Sequence, residues 1–152
     1  MTTQLDFGGY ELRLDRSYDP DTHLWVQRMG DRTADSVVRV GFDALTADTY
    51  GALAQLMIAP VGTAVQRGEE FGSLEAAKFV GPLTAPVTGV LTAVNEAVLA
   101  DPETVLRDPY CGGWLAEFAV SAEPGGLVEG EDARAWFSGE VADYRDKGLV
   151  AE

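Results

Sequence analysis

Lysine is nearly absent from this chain. Eleven of its 152 residues are basic, and all but Lys78 and Lys147 are arginine. Histidine and cysteine are scarcer still, with His23 and Cys111 as single examples. One cysteine excludes an intrachain disulfide and a cysteine zinc cluster, leaving the expectation of a free, packed thiol. Any Ser-His-Asp triad would have to use His23, which reads instead as a structural histidine beside Trp25. No residues have the spacing of a metal-ligand set. Gly112-Gly113 lacks the following helix and lysine of a phosphate-binding loop. No apolar run approaches the length of a membrane span. The opening Met-Thr-Thr-Gln-Leu-Asp has no basic region leading into an apolar one, so no signal peptide is expected, and the expected location is the cytoplasm. The net charge of −14 excludes the basic footprint that nucleic acids require and argues against anionic membrane surfaces. It suits a solvated acidic coat or a basic docking partner.

The remaining composition describes a folded domain. Apolar residues make up 46% of the chain, too many for a disordered one, and the length supports a real core. Tyr10, Leu12 and Leu14 alternate with charged residues as a short strand does. Strands are also expected over 23–29, 36–42 and 114–120. Between residues 61 and 94, short apolar runs alternate with Gly and Pro punctuation, which reads as strands joined by tight turns. Asp43 can cap a helix whose face carries Leu45, Thr49, Leu53 and Leu56, weakened in the middle by Gly51. A short strand through Leu56, Met57 and Ile58 follows. Asn95–Leu99 reads as a turn, and Asp101-Pro102-Glu103 as the start of a short helix. After the break at Glu123-Pro124-Gly125-Gly126, Ala133, Trp136, Phe137, Val141 and Tyr144 form the apolar stripe of a helix over 132–146, stopped by Gly148. That helix is expected to cover the sheet, with partner docking as the alternative.

The stretch Ser73-Leu74-Glu75-Ala76-Ala77-Lys78-Phe79-Val80-Gly81-Pro82 holds the first of the two lysines. Arginine supplies charge equally well but stays protonated, so it is a poor acyl acceptor; a lysine amine can be deprotonated and acylated. Ala76 to Lys78 should form a hairpin tip, exposed to another enzyme. Phe79 and Val80 would anchor the returning strand.

This region resembles the lipoyl-carrier proteins, most closely the H-protein family. That family shows Glu-Ser-x-Lys-Ala before a Ser-Pro-x-x-Gly turn; here Glu75, Lys78, Pro86 and Gly89 match. Tyr18 with His23 and Trp25 resembles the family's Tyr...His-x-Trp-Val entry strand. Val40-Gly41, Val61-Gly62 and Arg67-Gly68-Glu69 resemble its later steps, and Asn95-Glu96-Ala97, Asp101-Pro102-Glu103, Asp108-Pro109-Tyr110 and Gly113-Trp114-Leu115 follow in family order. The resemblance covers about residues 18 to 120. It implies a mainly β, barrel-sandwich hybrid fold with short helices and a C-terminal helix. It divides the chain into an N-terminal extension over 1–17, a carrier domain over 18–120 and a helical extension over 121–152. By the same resemblance Lys78 is the covalent lipoyl attachment site and Glu75 serves recognition by a lipoate ligase or lipoyl transferase. The chain would be a non-catalytic carrier of lipoic acid.

Three positions depart from the glycine-cleavage pattern. Leu24, Thr49 and Pro82 stand where that pattern has a Glu, a His and an Asp that hold the methylamine-loaded arm. The run Phe79-Val80-Gly81-Pro82 resembles instead the lipoate-binding proteins of bacterial sulfur oxidation. The resemblance therefore implies a carrier of sulfur intermediates that works with a heterodisulfide-reductase-like complex. The alternative is a glycine cleavage carrier of aminomethyl groups, with the P, T and L proteins as partners, and a second alternative is an unmodified H-like binding protein. Biotin attachment is disfavoured because Ala77 and Phe79, not methionines, flank the lysine.

Overall fold

In the computed structural model, residues 4–7, 9–29, 36–120 and 124–148 are described. The chain forms eleven strands and four helices among these residues. The larger of two facing sheets contains β3 (Ser17–Tyr18), β4 (Leu24–Met29), β5 (Ser36–Phe42), β11 (Ala116–Val120), β10 (Gly89–Val94) and β7 (Ala64–Val65), paired in that order. The smaller contains β6 (Leu53–Ile58), β8 (Glu70–Ala76) and β9 (Val80–Thr84). All pairings are antiparallel. Leu56, Leu74 and Leu83 of the small sheet pack with Val26, Val38, Val40 and Leu91 of the large one in a single buried cluster. Phe71 meets Phe118 edge to face across the gap, with ring centroids 5.3 Å apart, a preferred arrangement for aromatic pairs. This is the expected barrel-sandwich hybrid with short helices and a C-terminal helix.

A strand's side chains alternate between faces, and β4 uses both. Leu24 and Val26 point into the cluster between the sheets, while Trp25 joins a second cluster with Leu12, Tyr18, Leu45, Tyr110, Phe137 and Val141. Gly41, opposite Trp25 in the ladder, has no room for a side chain: a Cβ there would lie 2.5 Å from the Trp25 ring. The Val40-Gly41 step thus exists because an indole lies across it. The second cluster is roofed by α4 (Gly130–Asp146), which buries Ala133, Phe137 and Val141 as the apolar stripe requires. The helix lies across β2 (Tyr10–Arg13), β3 and the preceding strand β1 (Gln4–Phe7). Before it, Val128 exchanges two backbone hydrogen bonds of 2.8 Å with Tyr18.

Several expected elements differ. The helix after Asp43 is α1 (Ala44–Tyr50), and it ends at Gly51 rather than running past it. Leu53 and Leu56 belong to β6; a register shift between Leu53 and Gln55 places these two leucines, three apart, on the same buried side. A bulge of this kind imitates helical spacing. Asn95–Leu99 is not a turn but the start of α2 (Glu96–Ala100), capped by the Asn95 side chain accepting from the Ala97 N–H. The next helix, α3 (Thr104–Arg107), begins after Pro102-Glu103. Cys111 is a free thiol but is exposed, not packed; the Arg13 guanidinium donates to its sulfur at 3.1 Å. Glu123 of the expected break lies outside the described residues.

Candidate functional site: the Lys78 tip

Strands β8 and β9 converge on a tip at Ala77-Lys78, with Lys78 exposed. The last paired rung is Glu75 opposite Val80, and the Ala76 N–H donates to the Phe79 carbonyl at 2.8 Å. The two tip N–H groups are not left to water. Ala77 donates to the Ala52 carbonyl at 2.9 Å, and Lys78 to the Tyr50 carbonyl at 3.0 Å. The loop between α1 and β6 therefore lies under the tip as a backbone cradle. Phe79 stacks on Tyr50, centroids 4.5 Å apart and nearly parallel, and Tyr50 meets Phe42 edge to face at 5.5 Å. Burial, followed by the charge of Asp43, holds the Tyr50 hydroxyl above its ordinary pKa, so it stays neutral at physiological pH.

The two lysines occupy different settings. Lys147 pairs with Asp143 at 2.9 Å at the end of α4. Lys78 forms no ion pair among the described residues, and its stem passes beside Gly51, where no side chain stands in the way. An unpaired, exposed amine on a backbone fixed from below is a suitable acyl acceptor, and the residues present fit a lipoyl group in amide linkage. Glu75 is exposed on the outer face of the small sheet, between Gln55 and Val80 across the strands. It is therefore open to an approaching enzyme. Phe79 anchors the returning strand as expected. Val80 does not: it is 74% exposed on the same outer face as Glu75.

The three positions that depart from the glycine-cleavage pattern differ in their settings. Leu24 is buried between the sheets at 1% exposure. Thr49 turns its hydroxyl back to the Leu45 carbonyl at 2.7 Å. Pro82 is exposed on β9. His23 is structural, but in a way its neighbourhood with Trp25 does not suggest. Its Nδ1 lies 2.7 Å from Asp43 Oδ2 and its Nε2 2.9 Å from Glu140 Oε1 on α4. Asp43 also caps α1, its other oxygen accepting from the Thr46 N–H at 2.7 Å. Tyr50, Gly51 and Ala52 are the site residues that sequence reasoning passed over; Gly51 was visible, but as a helix weakness rather than a helix stop.

Two facing antiparallel sheets with an exposed lysine at a hairpin tip define a lipoyl-carrier type of domain. Comparison with known proteins makes this specific. The family model described as glycine cleavage H-protein matches residues 16–139. The chain is 38% identical over 135 residues to the glycine cleavage system H protein of Mycolicibacterium vanbaalenii, covering 88% of this chain and 98% of that one. It is 37% identical over 119 residues to that of Thermosynechococcus vestitus, covering 78% and 90%. The crystal structure of a glycine cleavage system H protein from Mycobacterium marinum superposes with a TM-score of 0.74 at 33% identity, covering 86% of this chain and 99% of that one. The chain belongs to the glycine cleavage H-protein family, whose members are non-catalytic carriers with lipoic acid attached covalently. These relatives favour the glycine cleavage alternative over the sulfur-oxidation expectation.

Proposed function

We propose that this chain is the lipoyl carrier of a glycine cleavage system, with lipoic acid in amide linkage to Lys78. The observation that carries the reading is the exposed, unpaired Lys78 amine on a tip whose backbone is held by Tyr50 and Ala52. A bound lipoyl group supplies a dithiolane whose ring cannot reach the relaxed disulfide torsion and is therefore readily opened. The chain supplies position: a rigid β8–β9 base below and open solvent above. Amide formation also removes the Lys78 charge. Glu75 is the recognition residue for the lipoate ligase or lipoyl transferase, and the P, T and L proteins are the working partners. No helix among the described residues is long and apolar enough to cross a membrane. Intact-mass measurement on protein from its native host tests the attachment. One lipoyl group is expected, lost in Lys78→Arg and kept in Lys147→Arg; modification surviving in Lys78→Arg would overturn the assignment.

One observation favours a second reading. Leu24, Thr49 and Pro82 supply no carboxylate to a cationic cargo, whereas a sulfur intermediate needs none. A carrier serving a heterodisulfide-reductase-like complex would be content with these residues.

A further inference from the structure

Beyond the last paired rung, Glu75 opposite Val80, the Lys78 tip is the connection Ala76-Ala77-Lys78-Phe79, closed by one hydrogen bond from the Ala76 N–H to the Phe79 carbonyl. Turns normally draw on Gly, Pro, Asn, Asp or Ser, each of which sets the local backbone by itself. None of the four tip residues is of these types, and among the described residues His23 is the one non-glycine with positive φ. The tip sequence therefore does not dictate its own shape. Its two central N–H groups go instead to the Ala52 and Tyr50 carbonyls. The residue between those carbonyls, Gly51, has φ 75° and ψ −156°, a combination open essentially to glycine alone. With this backbone between them, both carbonyls face the tip. Phe79 then locks the returning strand by stacking on Tyr50, its ring lying over Gly81.

We infer that Tyr50, Gly51 and Phe79 are positioning residues for Lys78. They hold the tip in the shape that the lipoylating enzyme must meet. This inference rests on Lys78 being the attachment site. In the modification step an activated lipoyl donor, an acyl adenylate, is attacked by the Lys78 amine. The C–N amide bond forms, the acyl–phosphate bond breaks, AMP leaves, and the two protons of the original ammonium go to solvent. The attacking nitrogen must reach a fixed carbonyl carbon in the enzyme's site, so a displaced tip lowers the rate even when the lysine is intact.

The test follows the time course of Lys78 modification by intact mass, with a purified lipoate ligase, ATP and lipoate, on the full chain. Wild type, Gly51→Ala, Phe79→Leu and Phe79→Tyr are compared. Gly51→Ala strains the loop, although its Cβ would find ordinary 3.4 Å contact with Ala77. Phe79→Leu removes the stack without touching the loop backbone. Both are expected to lower kcat/KM about tenfold or more, with melting transitions still cooperative and amide hydrogen exchange at Ala77 and Lys78 accelerated. Phe79→Tyr should keep the stack and restore the rate. Rates equal to wild type in Phe79→Leu, with faster exchange at the tip, would overturn the inference and leave the attachment site standing. Failure of wild-type Lys78 to be modified at all would overturn both.

Discussion

Glu140 on the C-terminal helix lies 2.9 Å from Nε2 of His23, a residue 117 positions earlier in the chain. Asp43 meets the other ring nitrogen at 2.7 Å, while Trp136 and Tyr144 of the same helix flank the ring. Burial alone would lower the pKa of His23, and it is the largest single influence. The charge and hydrogen bond of Asp43, with the hydrogen bond and charge of Glu140, together outweigh it and push the value up to about 9. At neutral pH both ring nitrogens therefore donate, and the imidazolium ties α4 to the N-cap of α1.

A pH dependence of stability follows. The folded pKa of about 9 exceeds the ordinary value of 6.5. The pairing therefore contributes fully below about pH 6.5 and is lost as pH rises through about 9. The size is on the order of 3 kcal/mol. Urea unfolding followed from pH 6 to 9.5 should show the midpoint falling across this window, and His23→Gln should flatten that fall. A wild-type midpoint that rises with pH would contradict the assignment.

Gly41→Ala should destabilise the fold strongly. The new methyl would sit 2.5 Å from the buried Trp25 ring, whose indole N–H is fixed to the Pro109 carbonyl at 3.0 Å. Overpacking of this kind costs about 1–3 kcal/mol, readable as a lowered thermal midpoint. The same substitution at Gly139, which has open space around its missing Cβ, should not lower the midpoint.

Glu75→Ala should slow lipoylation without weakening the fold. The side chain is exposed, and surface changes away from special features stay within about 0.5 kcal/mol. Labelling kinetics unchanged from wild type would remove its recognition role.

The lipoylated protein, supplied with the P, T and L proteins, should support glycine-dependent turnover. Hydrogen bonds to a charged group are worth about 1.5–3 kcal/mol each, so the missing polar side chains at positions 24, 49 and 82 should leave turnover below that of an H protein carrying them. Activity at background would count against the glycine reading. Background activity together with specific binding to a heterodisulfide-reductase-like complex would establish the second one.

Much of this architecture could be read in advance because local rules act on neighbours in sequence. Period-two alternation located β2 and β11 to within a residue or two, and a run rich in valine located β5. The stripe Ala133, Phe137, Val141 located α4 because a long amphipathic helix repeats its signal over many turns. Asp43 announced its capping role by residue type. Short elements carried too little signal: α2 has five residues, and Asn95 before it suits a turn as well as a cap. The bulge in β6 placed two buried leucines at a helical interval, so periodicity pointed to the wrong element.

By itself, the sequence determined that one of two lysines stands at a tip between strands of a carrier-like β domain. Residue type, scarcity and ordered motifs suffice for that, since each concerns what a position is. The tertiary structure alone decided what holds that tip. Lys78 depends on the Tyr50 carbonyl and Ala77 on the Ala52 carbonyl, about 25 residues away, and His23 depends on Glu140 at the far end of the chain. Such partners meet only when β6 pairs with β8 and α4 docks, because hydrogen bonds and ion pairs act over a few ångströms of space, whatever the separation along the chain.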